Sequence, residues 1–207
     1  MSSCIAVTNT IVLAQTPAGD RLLTCNSFAL LLGMQLDQQI PMERAFAAPY
    51  ELARRLNAAG RLSDLNQLSA ALIADMSVDD VVEIFRARPA LHRFPKAMAQ
   101  RAHQLSTLVC ERYGGQAERL WCEAATGGLL LARLRELPGF GDGKARIFLA
   151  LLAKQRGVRP PGWQEACVPY GSADSVMSVA DITDEATLRQ VREHKKAAKQ
   201  VRDCADR

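Results

Sequence analysis

Residues 134–152 read LRELPGFGDGKARIFLALL, and within them Leu137, Pro138, Gly139, Phe140 and Gly141 make a turn between two apolar, helix-like segments. A Pro-Gly-x-Gly hairpin lets the backbone turn sharply, because glycine tolerates positive φ and has no side chain. The first N–H groups of the following helix have no partner inside the helix and point outward, and the helix dipole reinforces them. That combination is an anion site, suited to a phosphate oxygen. Gly141 and Gly143 permit its close approach, and Lys144 and Arg146 add positive charge. Many helix–helix connections use glycine for steric reasons alone. The hairpin is therefore either a phosphate cradle or a plain connection, and its surroundings must decide.

Other chemistry is sparse. Cys4, Cys25, Cys110, Cys122, Cys167 and Cys204 are widely scattered with no CxxC pair, and His92, His103 and His194 lack ligand spacing. No metal and no cofactor are expected. The scatter argues against a zinc knuckle and against the closely grouped four-cysteine loop of an iron–sulfur cluster. Several cysteines fall on apolar helical faces, which predicts buried free thiols in a reducing cytoplasm. The histidines read as structural or solvated.

The elements that must position the hairpin are helices. Asn26 or Ser27 can cap FALLLGMQL, and Pro41 fits the first turn of PMERAFAAPYELARRL, where its missing N–H costs nothing. Ser77 and Asp80 make a capping-box-like start for VDDVVEIFRA. Pro95 opens PKAMAQRAHQLSTLVCERY and Gly114-Gly115 closes it. Thr126 can cap GGLLLARLREL, and after the Pro-Gly turn DGKARIFLALLAKQ runs to Gly157. GVRPPGW is a break, with a short helix expected at WQEAC, irregular chain over residues 169–182 and a last helix over DEATLRQVREHKKAAKQVRDC.

Composition agrees with that all-α reading. The 207-residue chain is 48% hydrophobic but only 5% aromatic, rich in Ala and Leu, which favours packed helices over sheets. A net charge of +4 permits an anionic partner without demanding one, since 22 acids offset 26 bases. MSSCIAVTNTIVLAQ lacks a basic leader and is broken by Thr and Asn, so no signal peptide is expected, and no apolar run reaches the length of a membrane span. A cytoplasmic protein is the expectation.

LPGFGDGKA resembles the hairpin of the helix–hairpin–helix (HhH-GPD) DNA glycosylase superfamily. FALLLGMQLDQQIPMERA resembles that family's early helix, where a hydrophobic run ends in a Gln-containing turn, and FPKAMAQRAHQLSTLVCERYGG its helix leading to the hairpin. Order and spacing of the three agree. More narrowly, the chain resembles a small bacterial branch of base excision repair proteins of this class. The resemblance implies a six-helix domain over residues 20–156 with the hairpin on its DNA-facing edge. Residues 157–207 are then a C-terminal helical extension packing with the N-terminal segment. It further implies a cytoplasmic, nucleoid-associated monomer acting on double-stranded DNA. By position, Leu137, Pro138, Gly139, Phe140 and Gly141 form the hairpin, and Gly143, Lys144 and Ala145 start the helix below it. Gln39 falls where the family often fills the gap left by an extruded base, although it or Gln38 could simply cap the helix end.

The chain departs from the family at the catalytic carboxylate. Cleavage of a glycosidic bond passes through an oxocarbenium-like state that a nearby carboxylate stabilises, after the base has left the stack. Where the family places an Asp, this chain has Pro161, Gly162 or Trp163. Glu165 is the first acid downstream and the first candidate; Asp37, beside the glutamines, is the next, and Asp142 reads more simply as a helix N-cap. The ungapped match puts Gly143 at the position of the family's lysine nucleophile. Lys144 then lies about 100° further round the helix, which argues against a Schiff-base lyase and for phosphate contact. Trp163 reads as a stacking platform or a core plug, with the core favoured. Arg189, Arg192, Lys196 and Lys199 give the last helix one basic face, either solvated or tracking phosphates. The expected function is a monofunctional DNA glycosylase. The alternatives are a non-catalytic protein of the same fold that binds distorted DNA, suggested by the missing Asp, and a helical protein–protein module without DNA affinity.

Overall fold

The computed structural model describes residues 10–205; Cys4 and the side chains of Lys199 and Cys204 lie outside what it describes. The described chain is all helical, with no strand. Eleven α-helices follow in order: α1 (Pro17–Cys25), α2 (Ser27–Leu36), α3 (Met42–Ala58), α4 (Ala70–Ala74), α5 (Val78–Arg86), α6 (Pro95–Tyr113), α7 (Arg119–Cys122), α8 (Gly127–Arg135), α9 (Asp142–Gln155), α10 (Trp163–Ala166) and α11 (Glu185–Ala205). Where about six helices were expected before residue 157, the described residues form nine. The additional ones include the single turns α4 and α7, too short to carry a readable 3.6-residue period.

The punctuation falls where side-chain chemistry requires it. Asn26 accepts from the Ala29 N–H and caps α2, Ser77 accepts from the Asp80 N–H and caps α5, and Thr126 accepts from the Leu129 N–H and caps α8. Gly114 ends α6 in the left-handed region, at φ 61°.

Helix α2 is buried from Phe28 to Leu36, apolar all round as a central helix must be. It packs on α3 at Gly33, where a Cβ would sit 2.8 Å from the Phe46 ring. α4 and α5 pack on α6, and α8 packs on α9. At Gly127 a Cβ would meet Gly162 O and Trp163 Cα at 2.5 Å, so glycine there lets α8 close against α10. Trp163 is half-buried and packs against the core. Among the described residues the expected buried thiols reduce to Cys167: Cys110 and Cys122 are half-buried and Cys25 is exposed at the last residue of its helix.

Beyond residue 157 the chain stays on the same core. Gln155 Nε2 donates to the carbonyls of Val179 (3.2 Å), Ala180 (2.9 Å) and Ile182 (3.1 Å), and Lys154 pairs with buried Asp181. These bonds lay residues 179–182 along α9. Leu188 and Val191 of α11 are buried in one cluster that also holds Ile11, Leu30 and Phe148. Among the described residues no helix is long and apolar enough to cross a membrane.

Candidate functional site

Three segments far apart in sequence meet at the C-terminal end of α2. The polar residue in its apolar run is Gln35, 1% exposed. Its Nε2 donates to Arg101 O of α6 at 3.0 Å and to Pro138 O of the hairpin at 2.7 Å. Gln35 O, one of the carbonyls left open at a helix end, accepts from Lys144 Nζ of α9 at 2.8 Å. A cation at the negative end of α2 is also favoured by the helix dipole. Gln35 Oε1 has no hydrogen bond.

The turn after α2 is sharp. Asp37, at φ −70° and ψ 74°, is the centre of an inverse γ-turn in which the Gln38 N–H donates to Leu36 O at 2.7 Å. Gln39 follows at φ 57°, a left-handed conformation that a glutamine rarely adopts, with its side chain exposed. Two ties hold this turn: Arg101 donates to Gln38 Oε1 at 2.7 Å, and His92 bonds Gln38 O at 3.0 Å.

The hairpin runs from Leu137 to Gly141. Leu137 and Phe140 are buried anchors, Phe140 meeting Phe148 edge-on at 5.9 Å between centroids, while Gly139 turns the exposed tip at φ 82°. Gly141 occupies the N-cap position of α9, and no side chain caps the helix. Asp142, expected to be the cap, is instead the first helical residue. Its carboxylate pairs with Arg146 and Arg135, whose hydrogen bonds lower its pKa. Nothing lies within 4 Å of a Cβ built at Gly141 or Gly143. The backbone at the start of α9 is thus open to close approach at both glycines, one requirement of an anion cradle.

Lys144 does not lie on that open face. Its ammonium turns inward to Gln35 O and stands 5.8 Å from the Phe140 ring centroid; burial pushes it down to about 8, against the pull of Asp37. Burial likewise pushes the Asp37 carboxyl up, with Lys195 of α11 and Lys144 pulling it back. Asp37 lines a cavity of ≈ 260 Å³ between the α2–α3 turn and α11, walled by Ile40, Met42, Ile182, Leu188 and Val191. Arg192 of α11 pairs with Glu43 at the same place.

Glu165 lies elsewhere. It is exposed on the single turn α10, whose end is held by Arg146, donating to Ala166 O at 3.1 Å and Val168 O at 3.3 Å. Lys144 and Arg146 are two residues apart, about 200° around α9. Glu165 thus belongs to the flank of α9 turned away from Asp37. Of the two candidate carboxylates, Asp37 is the one on the side of α9 to which Lys144 turns. Neither Arg101 nor Gln35 was singled out in the sequence; Arg101 carries no signal there, while Gln35 is a polar interruption of an apolar run that could have marked it. Among the described residues no group of three His, Cys, Asp or Glu could hold a metal. Comparison of the chain with family models, curated proteins and solved structures finds no match to any of them.

Proposed function

We propose that this chain is a monofunctional DNA N-glycosylase of base excision repair, gripping distorted duplex along the edge formed by the Gln38–Gln39 turn and the Gly139–Gly143 hairpin. One observation carries the reading: Gln35 bonds the hairpin and α6 at once, so three segments that resemble the glycosylase superfamily in sequence adjoin in space. The α9 amides receive a backbone phosphate, a contact that positions DNA without reading its sequence. Exposed, left-handed Gln39 enters the space an extruded base leaves. Asp37, rather than Glu165, stabilises the cationic sugar as the base departs.

The test is base release from alkylated, oxidised, deaminated and mismatched duplexes. Asp37→Asn is expected to slow release by about 10²–10⁴-fold, the usual worth of a catalytic carboxylate, with damaged-duplex affinity retained. Wild-type binding without release of any base would leave a non-catalytic binder of distorted DNA, and no binding would end both readings.

A further inference from the structure

His92 is 1% exposed, and both its ring nitrogens are taken by the backbone. The Phe94 N–H donates to Nδ1 at 3.0 Å, so the neutral ring carries its hydrogen on Nε2, which donates to Gln38 O at 3.0 Å. Phe94 is the N-cap of α6. One imidazole thus clips the start of α6 to the turn that presents Gln39. The clip is itself anchored: Arg44 of α3 donates to Ala90 O at 2.7 Å, and Arg55 donates to Ala87 O at 2.9 Å and Pro89 O at 2.6 Å.

We propose that neutral His92 is the positioning residue of the Gln38–Gln39 turn, and that protonating its ring releases the turn and weakens the protein's hold on distorted duplex. The first half stands on geometry alone; the second rests on the DNA-binding reading above. A protonated ring has no acceptor, so Nδ1–H would face the Phe94 N–H, donor against donor, in a buried site. The Nε2–H bond to Gln38 O and the Arg101–Gln38 bond would remain, but the ring would be pushed off the start of α6, and with it the main chain before Gln39 would lose its fixed point. That residue is held left-handed against its own preference, and it relaxes once the fixed point goes.

The charges facing the ring resist protonation. Burial lowers its pKa from the ordinary 6.5, the backbone carbonyls of Gln38 and Leu36 pull it back in part, and Arg44 from α3 and Lys144 from α9 add to the lowering. Arg93 on the same loop and Lys96 and Arg101 on α6 are also cations, while the nearby acids are engaged elsewhere, Asp37 facing Lys144 and Lys195 and Glu43 pairing with Arg192. The clip therefore stays closed at neutral pH and opens on the acid side of a free histidine.

Two measurements decide the proposal. Without DNA, nitrogen-detected NMR of the ring should show the Nε2–H tautomer, with the Phe94 amide protected from exchange until the ring titrates. An Nδ1–H tautomer, or a Phe94 amide indifferent to the ring, overturns the clip. With DNA, fluorescence anisotropy on an abasic-site duplex at fixed ionic strength should show wild-type affinity falling about tenfold or more from about pH 7.5 to about pH 5. His92→Gln keeps an amide donor for Gln38 O and does not titrate, so it should bind within about threefold of wild type at neutral pH and stay flat. His92→Leu should bind about tenfold more weakly at every pH. A pH-independent wild type, or the same acid loss in His92→Gln, sinks the regulatory half. Absence of any duplex binding would overturn the DNA-binding reading and the second half with it, while the NMR result still decides the first.

Discussion

Asp37 and Lys144 face each other at the end of α2, and each is displaced from its ordinary titration in the direction burial dictates. Both shifts bear on stability. Lys144 has a folded pKa of about 8 against 10.5 unfolded, so between those values the unfolded chain binds more protons and stability rises with pH. At neutral pH the charged amine is a burden on the fold. Lys144→Met should therefore raise thermal stability near pH 7, by about 1–2 kcal/mol once the lost bond to Gln35 O is discounted, while weakening DNA binding because the α2 turn loses its tie to the hairpin helix. A calorimetric melt at pH 7 and pH 10 checks this, and the gain should shrink at the higher pH. Asp37 runs the opposite way. Its folded pKa is raised, so stability falls as pH climbs from 3.8 through the folded value, and Asp37→Asn should melt higher than wild type at neutral pH. A variant that is more stable yet slower at base release is the expected sign of a functional group kept at a cost to the fold.

At the scale of elements, two glycines at helix starts do opposite work. Gly141 sits at φ −74°, a conformation open to any residue, with nothing within 4 Å of its would-be Cβ. Gly141→Leu should alter stability by no more than about 1 kcal/mol, yet block a phosphate from the α9 amides and weaken binding to all duplex sequences alike. Unchanged affinity in that folded variant would remove the cradle from the proposed interface. Gly127 has no such freedom, since a Cβ there meets backbone of α10 at 2.5 Å. Gly127→Ala should cost about 1–3 kcal/mol through forced separation of α8 and α10, read as a lowered denaturant midpoint. DNA affinity per folded molecule should be nearly unchanged, because that junction lies on the flank of α9 away from Asp37.

For the whole molecule, the Pro-Pro-Gly break near residue 160 is a surface connection and not a domain boundary. Val158, Cys167, Val179, Ile182, Leu188 and Val191 join the same core as the helices before them. Thermal unfolding is therefore expected to be a single transition with coincident probes; a separate melt of residues 157–207 would contradict this. Leu188→Ala should lower the whole transition by about 2–5 kcal/mol, because α11 then loses its grip on the wall of the cavity beside Asp37. α11 also carries Lys195 toward Asp37 and Arg192 onto Glu43. Residues at the end of the chain therefore set the electrostatics of a site assembled near its beginning.

Local chemistry was legible in the chain itself. Caps at Asn26, Ser77 and Thr126, the glycine stop at Gly114 and the Pro-Gly turn after α8 are each decided within four or five residues, by hydrogen bonds a side chain makes to its own neighbourhood. So was the all-helical class, which follows from composition and period. Orientation was not. Whether Lys144 faces solvent or Gln35 depends on the packing of α2 against α9, across 109 positions of sequence. That Glu165, the nearest acid downstream in sequence, lies on the flank of α9 away from Asp37 depends on where α10 docks. The tie from His92 to Gln38 spans 54 residues and rests on an α5–α6 loop that arginines of α3 hold in place. Periodicity fixes which face of a helix is apolar, but the partner for a single polar group on that face is chosen only when the helices pack.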